Sequence, residues 1–142
     1  MTTVEWNTLA MKRGDRPPVT VADLMTEDLL SILPHDNVGR ARHVMVSNGV
    51  HAVLVMDGND VRGIVTTTDL LDSWPDDEPI ATVMTQAPVS ISAQTPLRKA
   101  AHVMVVGRAH HLLVDDEVDG ESEVVGILSS LDLLEAIIID PT

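Results

Sequence analysis

The sequence predicts a mixed α/β fold, of the α+β kind, built from two tandem β-α-β-β-α units packed with pseudo-twofold symmetry. Three observations lead there. The first is an internal repeat: GIVTTTDLL (residues 63–71) returns as GILSSLDLL (126–134), VADLMT (21–26) as IATVMT (80–85), and ARHVMV (41–46) as AAHVMV (100–105). The copies stay in register until the acidic insertion DDEVDGESE (115–123) lengthens the second, so the chain is a duplication. The second is that each copy alternates apolar runs of strand length with a segment of helical period. The third is size: 142 residues at 44% hydrophobic content fit one small core or two halves sharing one. The units are expected at 21–76 and 77–140, after an arm at 1–20 that holds Trp6 and the basic pair Lys12-Arg13.

In chain order, the first copy opens with a short apolar strand at 29–33. Asp36 is placed to cap a helix whose apolar face is Val38, Ala41 and Met45, and Asn48-Gly49 closes it. Two apolar runs, AVLVM (52–56) and VRGIV (61–65), flank Asp57-Gly58-Asn59-Asp60, a hairpin turn. The second copy repeats the plan. The alternation at 89–92 reads as a strand, Thr95 as a cap, Pro96 as a first helical residue and Gly107 as a helix end, with Leu97, Ala100 and Met104 on the apolar face. A copy this short buries only roughly 60% of the surface its unfolded chain exposes. Two copies packed sheet to sheet would cover one another and create two equivalent clefts, with the repeated turn once at each.

In GIVTTTD the strand is expected to end near Val65 and a helix to begin near Asp69, which crowds Thr66, Thr68 and Asp69 at a helix start. Hydroxyls and backbone N–H groups there can serve a phosphate, and a carboxylate can accept the hydroxyl hydrogens of a ribose. The same residues are also preferred caps, and the glycine can serve only to permit a tight bend. Both readings stand on the residues alone.

The duplicated pattern, Met-Thr, then a helix ending in His-Val-Met-Val, a histidine, apolar strands and Gly-Ile-Val-Thr-x-Thr-Asp-Leu, resembles a tandem pair of CBS domains, a Bateman module. The resemblance covers residues 21–140. It implies frequent homodimers and clefts for adenosine-containing ligands: AMP, ADP, ATP or S-adenosylmethionine. By position it assigns Thr66, Thr68 and Asp69 to the ribose and phosphate, and Ser129 and Asp132 to the second copy, where Leu131 replaces the hydroxyl residue. His51 and His110 match a histidine that contacts phosphate in some nucleotide-sensing members. The residue after it, often Arg there, is Ala52 or His111, and a frequent strand proline is Val53 or Leu112. Adenine is expected against aliphatic side chains at 29–33 and 89–92. The implied role is regulation of an unidentified protein; a ligand-free homodimeric assembly or partner-docking protein is the alternative.

Other classes lose ground on composition. A formal charge of −13 opposes the electrostatic footprint that nucleic acid or an anionic membrane needs. No cysteine is present, so thiolate nucleophiles, disulfides and Cys-ligated zinc are excluded. The six histidines, including His43, His102 and the pair His110-His111, lack the spacing of a metal motif. The acidic insertion does not complete a calcium loop and reads as a solvated hairpin. Catalytic signatures such as G-x-S-x-G and G-x-G-x-x-G are missing, which favours a non-enzyme. The N-terminus lacks the basic flank and apolar run of a signal peptide, so a cytoplasmic protein is expected. With two lysines, 15 Asp against 7 Glu and few aromatics, the composition also resembles that of proteins from salt-loving organisms.

Overall fold

The computed structural model describes residues 20–86 and 88–139, so the predicted arm, apart from Thr20, lies outside the described residues. The described residues form two compact units: 28–88, and 20–27 with 89–139.

In the unit 28–88, β1 (Ser31–Ile32), α1 (Val38–Asn48), β2 (Ala52–Asp57) and β3 (Asp60–Thr66) are followed by a single 3-10 turn (Asp69–Leu71), then α2 (Ile80–Val83) and β4 (Thr85–Gln86). The sheet runs β1-β2-β3-β4. β1 lies parallel to β2, with Ile32 opposite Val55, and the other pairs are antiparallel. Val38, Ala41, Val44 and Met45 of α1 cover Val53, Val55 and Val65 of the sheet, and Ile80 closes the core. The cap of α1 falls one residue later than expected. Asn37 Oδ1 accepts from Arg40 N–H at 2.9 Å, the reach an N-cap has when the helix starts at Val38. The Asp36 carboxylate instead accepts from Leu33 N–H at 2.7 Å, and its carbonyl accepts from Ile80 N–H. Gly49, at φ 64°, ends the helix as predicted.

The other unit contains β5 (Ser90–Ser92), α3 (Leu97–Gly107), β6 (His111–Val118), β7 (Glu121–Ser129) and α4 (Ser130–Ile139), with sheet order β5-β6-β7. Ala100 and Met104 of α3 pack on Leu112, Val114 and Leu128, as the periodicity predicts. The acidic insertion is indeed a hairpin, turning through Asp119 (φ 53°) and Gly120 (φ 81°), the left-handed pair that a two-residue turn requires. Thr95 does not cap α3. Pro96 occupies the cap position without a side-chain bond, and Thr95 is held by its backbone to Ser92 and Val21.

Compaction does not respect the repeat boundaries at 21–76 and 77–140. Val21, from the start of the first copy, is fully buried with the β5-β6-β7 core, and Thr26 bridges Ile127. Ile80, from the start of the second copy, completes the core of 28–88, and β4 pairs with β3. Each unit is therefore finished by the leading segment of the other copy.

Gly63 and Gly126 explain how. They lie within β3 and β7, outside the left-handed region, so a tight bend is not their role. A Cβ on Gly63 would stand 2.7 Å from Met84 Sδ and 2.7 Å from the Thr85 carbonyl; one on Gly126 would stand 2.6 Å from Met25 Sδ. The Gly of the turn and the Met-Thr of the leading segment are two halves of one packing contact.

Candidate functional site

At the end of β3 the chain folds back on itself. Thr66 N–H and Oγ1 donate to Asp69 Oδ2 at 2.8 and 3.1 Å, and Asp69 N–H returns to Thr66 Oγ1 at 3.4 Å. The second copy matches it: Ser129 N–H donates to Asp132 Oδ2 at 2.8 Å, and Asp132 N–H to Ser129 Oγ at 3.1 Å. In the second copy these bonds have the form of a helix cap, and in the first the same reciprocal pair closes the turn before a 3-10 segment whose own cap position, Thr68, makes no side-chain bond. The bonds fall on Oδ2, and no hydrogen bond among the described residues engages Oδ1 of either carboxylate or the Thr68 hydroxyl. An ionised carboxylate has roughly four acceptor positions, so Oδ1 can still take ligand hydroxyl hydrogens.

The histidines join the same places. Thr67 N–H donates to the His51 carbonyl at 3.0 Å, and Ser130 N–H to the His110 carbonyl at 2.8 Å. Thr66 lies opposite Ala52 in the sheet and Ser129 opposite His111. One turn thus gathers Thr66, Thr68, Asp69 and His51; the other gathers Ser129, Asp132 and His110. His51, His110 and Thr68 are exposed, while both aspartates are half-buried. Leu131, where the first copy has Thr68, is also exposed.

The two turns lead into different structure. In the second copy α4 continues for ten residues, but the helix expected at Asp69 is a three-residue 3-10 turn, and Asp72 returns to extended backbone. Pro75 fits that end, because a continued helix would need its missing N–H for the Leu71 carbonyl and would drive its ring into that carbonyl. The first turn consequently lacks the helix start expected to favour an anion. Trp74, which the sequence reading did not place in the site, donates from Nε1 to the Asp69 carbonyl at 3.2 Å. The signal that could have found it is a lone Trp-Pro where the other copy stays helical.

The stretches at 29–33 and 89–92, expected from the sequence to line adenine, are only partly open. Ile32 is buried and Leu30 packs on the core, which leaves Leu33 exposed; in the other copy Val89 is exposed and Ile91 half-buried. A separate cavity of about 500 Å³ on the β5-β6-β7 unit is lined by Ser90, Ser92, Asp115, Asp116 and Glu117 and does not include Ser129 or Asp132. Its carboxylates oppose a phosphate. Among the described residues no three His, Asp or Glu side chains converge in a way that could hold a metal ion, and no helix is long and apolar enough to cross a membrane.

The CBS domain model matches residues 21–76 and 80–139. An uncharacterized protein of Bacillus subtilis, YlbB, is 32% identical over 120 residues, covering 80% of this chain and 78% of its own. A conserved protein of Pyrococcus horikoshii, solved by crystallography, is 29% identical with a TM-score of 0.70, over 84% of this chain and 92% of that one. CBSX2, solved in complex with AMP, shares the fold at a TM-score of 0.66 and 24% identity, over 88% of this chain and all of that one. A CBS domain pair solved with methylthioadenosine and S-adenosyl-L-methionine shares it at 0.70 and 19%, over 83% and 95%. The chain spans only 23% of a curated relative, the homoserine O-acetyltransferase of Methanocorpusculum labreanum, and 24% of another, the inosine-5'-monophosphate dehydrogenase of Methanocaldococcus jannaschii.

Proposed function

The chain belongs to the CBS-domain family, and from that premise we propose that it is a ligand-sensing regulatory protein, not an enzyme, whose Thr/Ser-Asp turns hold the ribose of an adenosine-containing ligand. The candidates are AMP, ADP, ATP and S-adenosylmethionine. The observation that supports this reading best is the paired turn itself. In both copies a half-buried aspartate is fixed through Oδ2 by the backbone N–H of the Thr or Ser three residues before it and keeps Oδ1 without a partner among the described residues, next to a backbone bond to a histidine carbonyl. The complexes of two fold relatives with AMP and with S-adenosyl-L-methionine point the same way. Asp69 accepts the ribose hydroxyls, Thr66 and Thr68 orient the sugar and phosphate side, and His51 faces the phosphate. Ser129, Asp132 and His110 repeat this in the second copy, where Leu131 offers no hydroxyl. Regulation results when the ligand binds two conformations unequally, and the regulated protein is a separate partner.

Calorimetric titration with AMP, ATP and S-adenosylmethionine, in an Asp132→Asn background that leaves the first turn as the site read, tests the assignment. Asp69→Asn keeps an acceptor for the cap but turns an amide N–H toward the sugar. It should remove charge-assisted bonds of about 1.5–3 kcal/mol, lowering affinity roughly ten- to hundredfold. Equal affinity in this variant would remove Asp69 from the site.

A second reading is favoured by one observation. Val46 and Val105, at equivalent positions on α1 and α3, are 83% and 77% exposed. A homodimeric assembly protein would cover them and use the turns as caps only. It would dissociate and lose stability on dilution, and no adenosine ligand would raise its Tm.

A further inference from the structure

We infer that Trp74 is the positioning residue of the first turn and that its indole reports ligand occupancy there; this rests on the ribose reading of Asp69. The 3-10 turn ends at Leu71, and Asp72 leaves the helical region with ψ 160°. The Asp69 carbonyl therefore lacks the N–H that a continuing helix would supply one turn later, and such carbonyls need a donor. In the second copy Asp132 sits in the first turn of the ten-residue α4, which supplies that donor from its own backbone. In the first copy the donor is a side chain, the Trp74 indole N–H at 3.2 Å. One indole thus replaces the missing length of helix.

The indole is itself fixed on two sides. Trp74 packs, half-buried, against the core of the 28–88 unit, and its own N–H donates to the Asp72 carbonyl at 2.8 Å. Its carbonyl accepts from Arg42 Nη1 at 3.1 Å, and the same nitrogen reaches Asp76 Oδ1 at 2.9 Å. Arg42 lies on α1, and Asp76 is tied to the start of α1 because Gly39 N–H donates to its carbonyl at 2.9 Å. Gly39 eases that approach, since a Cβ there would lie 3.0 Å from Asp76 Cβ. Asp69 is accordingly held from both ends, its carboxylate by Thr66 and its carbonyl by Trp74. A hydroxyl ligand that draws on Oδ1 pulls on a residue whose other polar end is an indole donor, and the indole environment changes with it. Through Arg42 the same movement reaches α1.

The test uses the full chain carrying Trp6→Phe, so that Trp74 is the only emitting indole. AMP and S-adenosylmethionine are titrated by calorimetry and by tryptophan emission on the same samples. The emission should change and saturate with the heat of binding. The change should persist in Asp132→Asn and move to roughly ten- to hundredfold higher ligand concentration in Asp69→Asn. Trp74→Phe, which keeps a ring and removes the donor, should weaken first-turn binding roughly five- to tenfold in the Asp132→Asn background, in line with loss of one hydrogen bond. Its far-UV circular dichroism should be unchanged. Heat of binding with static emission in the Asp132→Asn background, or equal affinity there in a folded Trp74→Phe, overturns the role of Trp74 and leaves the ribose reading standing. Absence of heat for either ligand in the parent chain overturns both. If Trp74→Phe does not fold, the emission of the Trp6→Phe chain decides alone.

Discussion

Asp69 and Asp132 show how one side chain serves two purposes without conflict. A carboxylate has two oxygens; capping engages Oδ2 in each, and Oδ1 is where a ribose would bind. Gly63 and Gly126 show the opposite economy, because only the absence of a side chain lets Met84 and Met25 reach the strand. Gly63→Ala should be the costlier change, by about 1–3 kcal/mol in chemical denaturation, since it meets the immovable Thr85 carbonyl as well as a flexible thioether. The three atoms nearest to a Cβ at Gly126 all belong to the Met25 side chain, so Gly126→Ala should cost less. Arg108 closes α3 at φ 52°, the position Gly49 fills for α1. Arg108→Gly should therefore stabilise the protein by about 0.5–1 kcal/mol, read as a higher denaturant midpoint with unchanged slope.

Among the elements, the sequences GIVTTTDLL and GILSSLDLL are nearly the same, yet one leads into a three-residue 3-10 turn and the other into ten residues of α-helix. What decides is downstream: Trp74-Pro75 in the first copy, and the apolar run after Asp132 in the second. Replacing Pro75 by Ala should lengthen the first helix and release the indole from Asp69, visible as added helical signal in far-UV circular dichroism together with a shifted Trp74 emission. Much of the fold was legible because it is encoded locally. Val38, Ala41 and Met45 mark the face of α1, Gly49 its end, and Gly58-Asn59 the hairpin. The site turn was legible too, since its residues lie within four positions of one another. The illegible part is long-range. No periodicity joins Met25 to Gly126, or Ile80 to the core around Val53, and the Trp74 bond to Asp69 depends on where a helix stops. Caps slipped by a residue for the same reason: at Asn37 and Pro96 the backbone of a neighbouring segment fixes where the helix begins.

For the molecule as a whole, the unit of repetition and the unit of folding differ. A fragment 28–88 keeps Ile80 and β4 with their sheet, whereas a fragment 21–76 carries Val21 without its core and lacks Ile80. The first should retain helical signal and a cooperative unfolding transition; the second should have neither, because domains of this size are marginal even when complete. Duplication with exchanged leading segments makes neither copy self-sufficient. The charge acts on the same scale. At −13 the protein repels itself and any anionic ligand, and at molar KCl the screening length falls to about 3 Å. Tm and AMP affinity should both hold or rise as KCl increases; a steep fall in either would place the binding energy in exposed ion pairs. The measurement that bears most directly on the proposed function is a calorimetric titration, in an Asp132→Asn background that leaves the first turn as the site read, of the chain with and without Asp69→Asn, using AMP and S-adenosylmethionine in high KCl. Saturable binding that weakens at least tenfold in the variant is the expected result. Binding of equal strength in both, or no heat in either, would contradict a ribose site at the repeated turn.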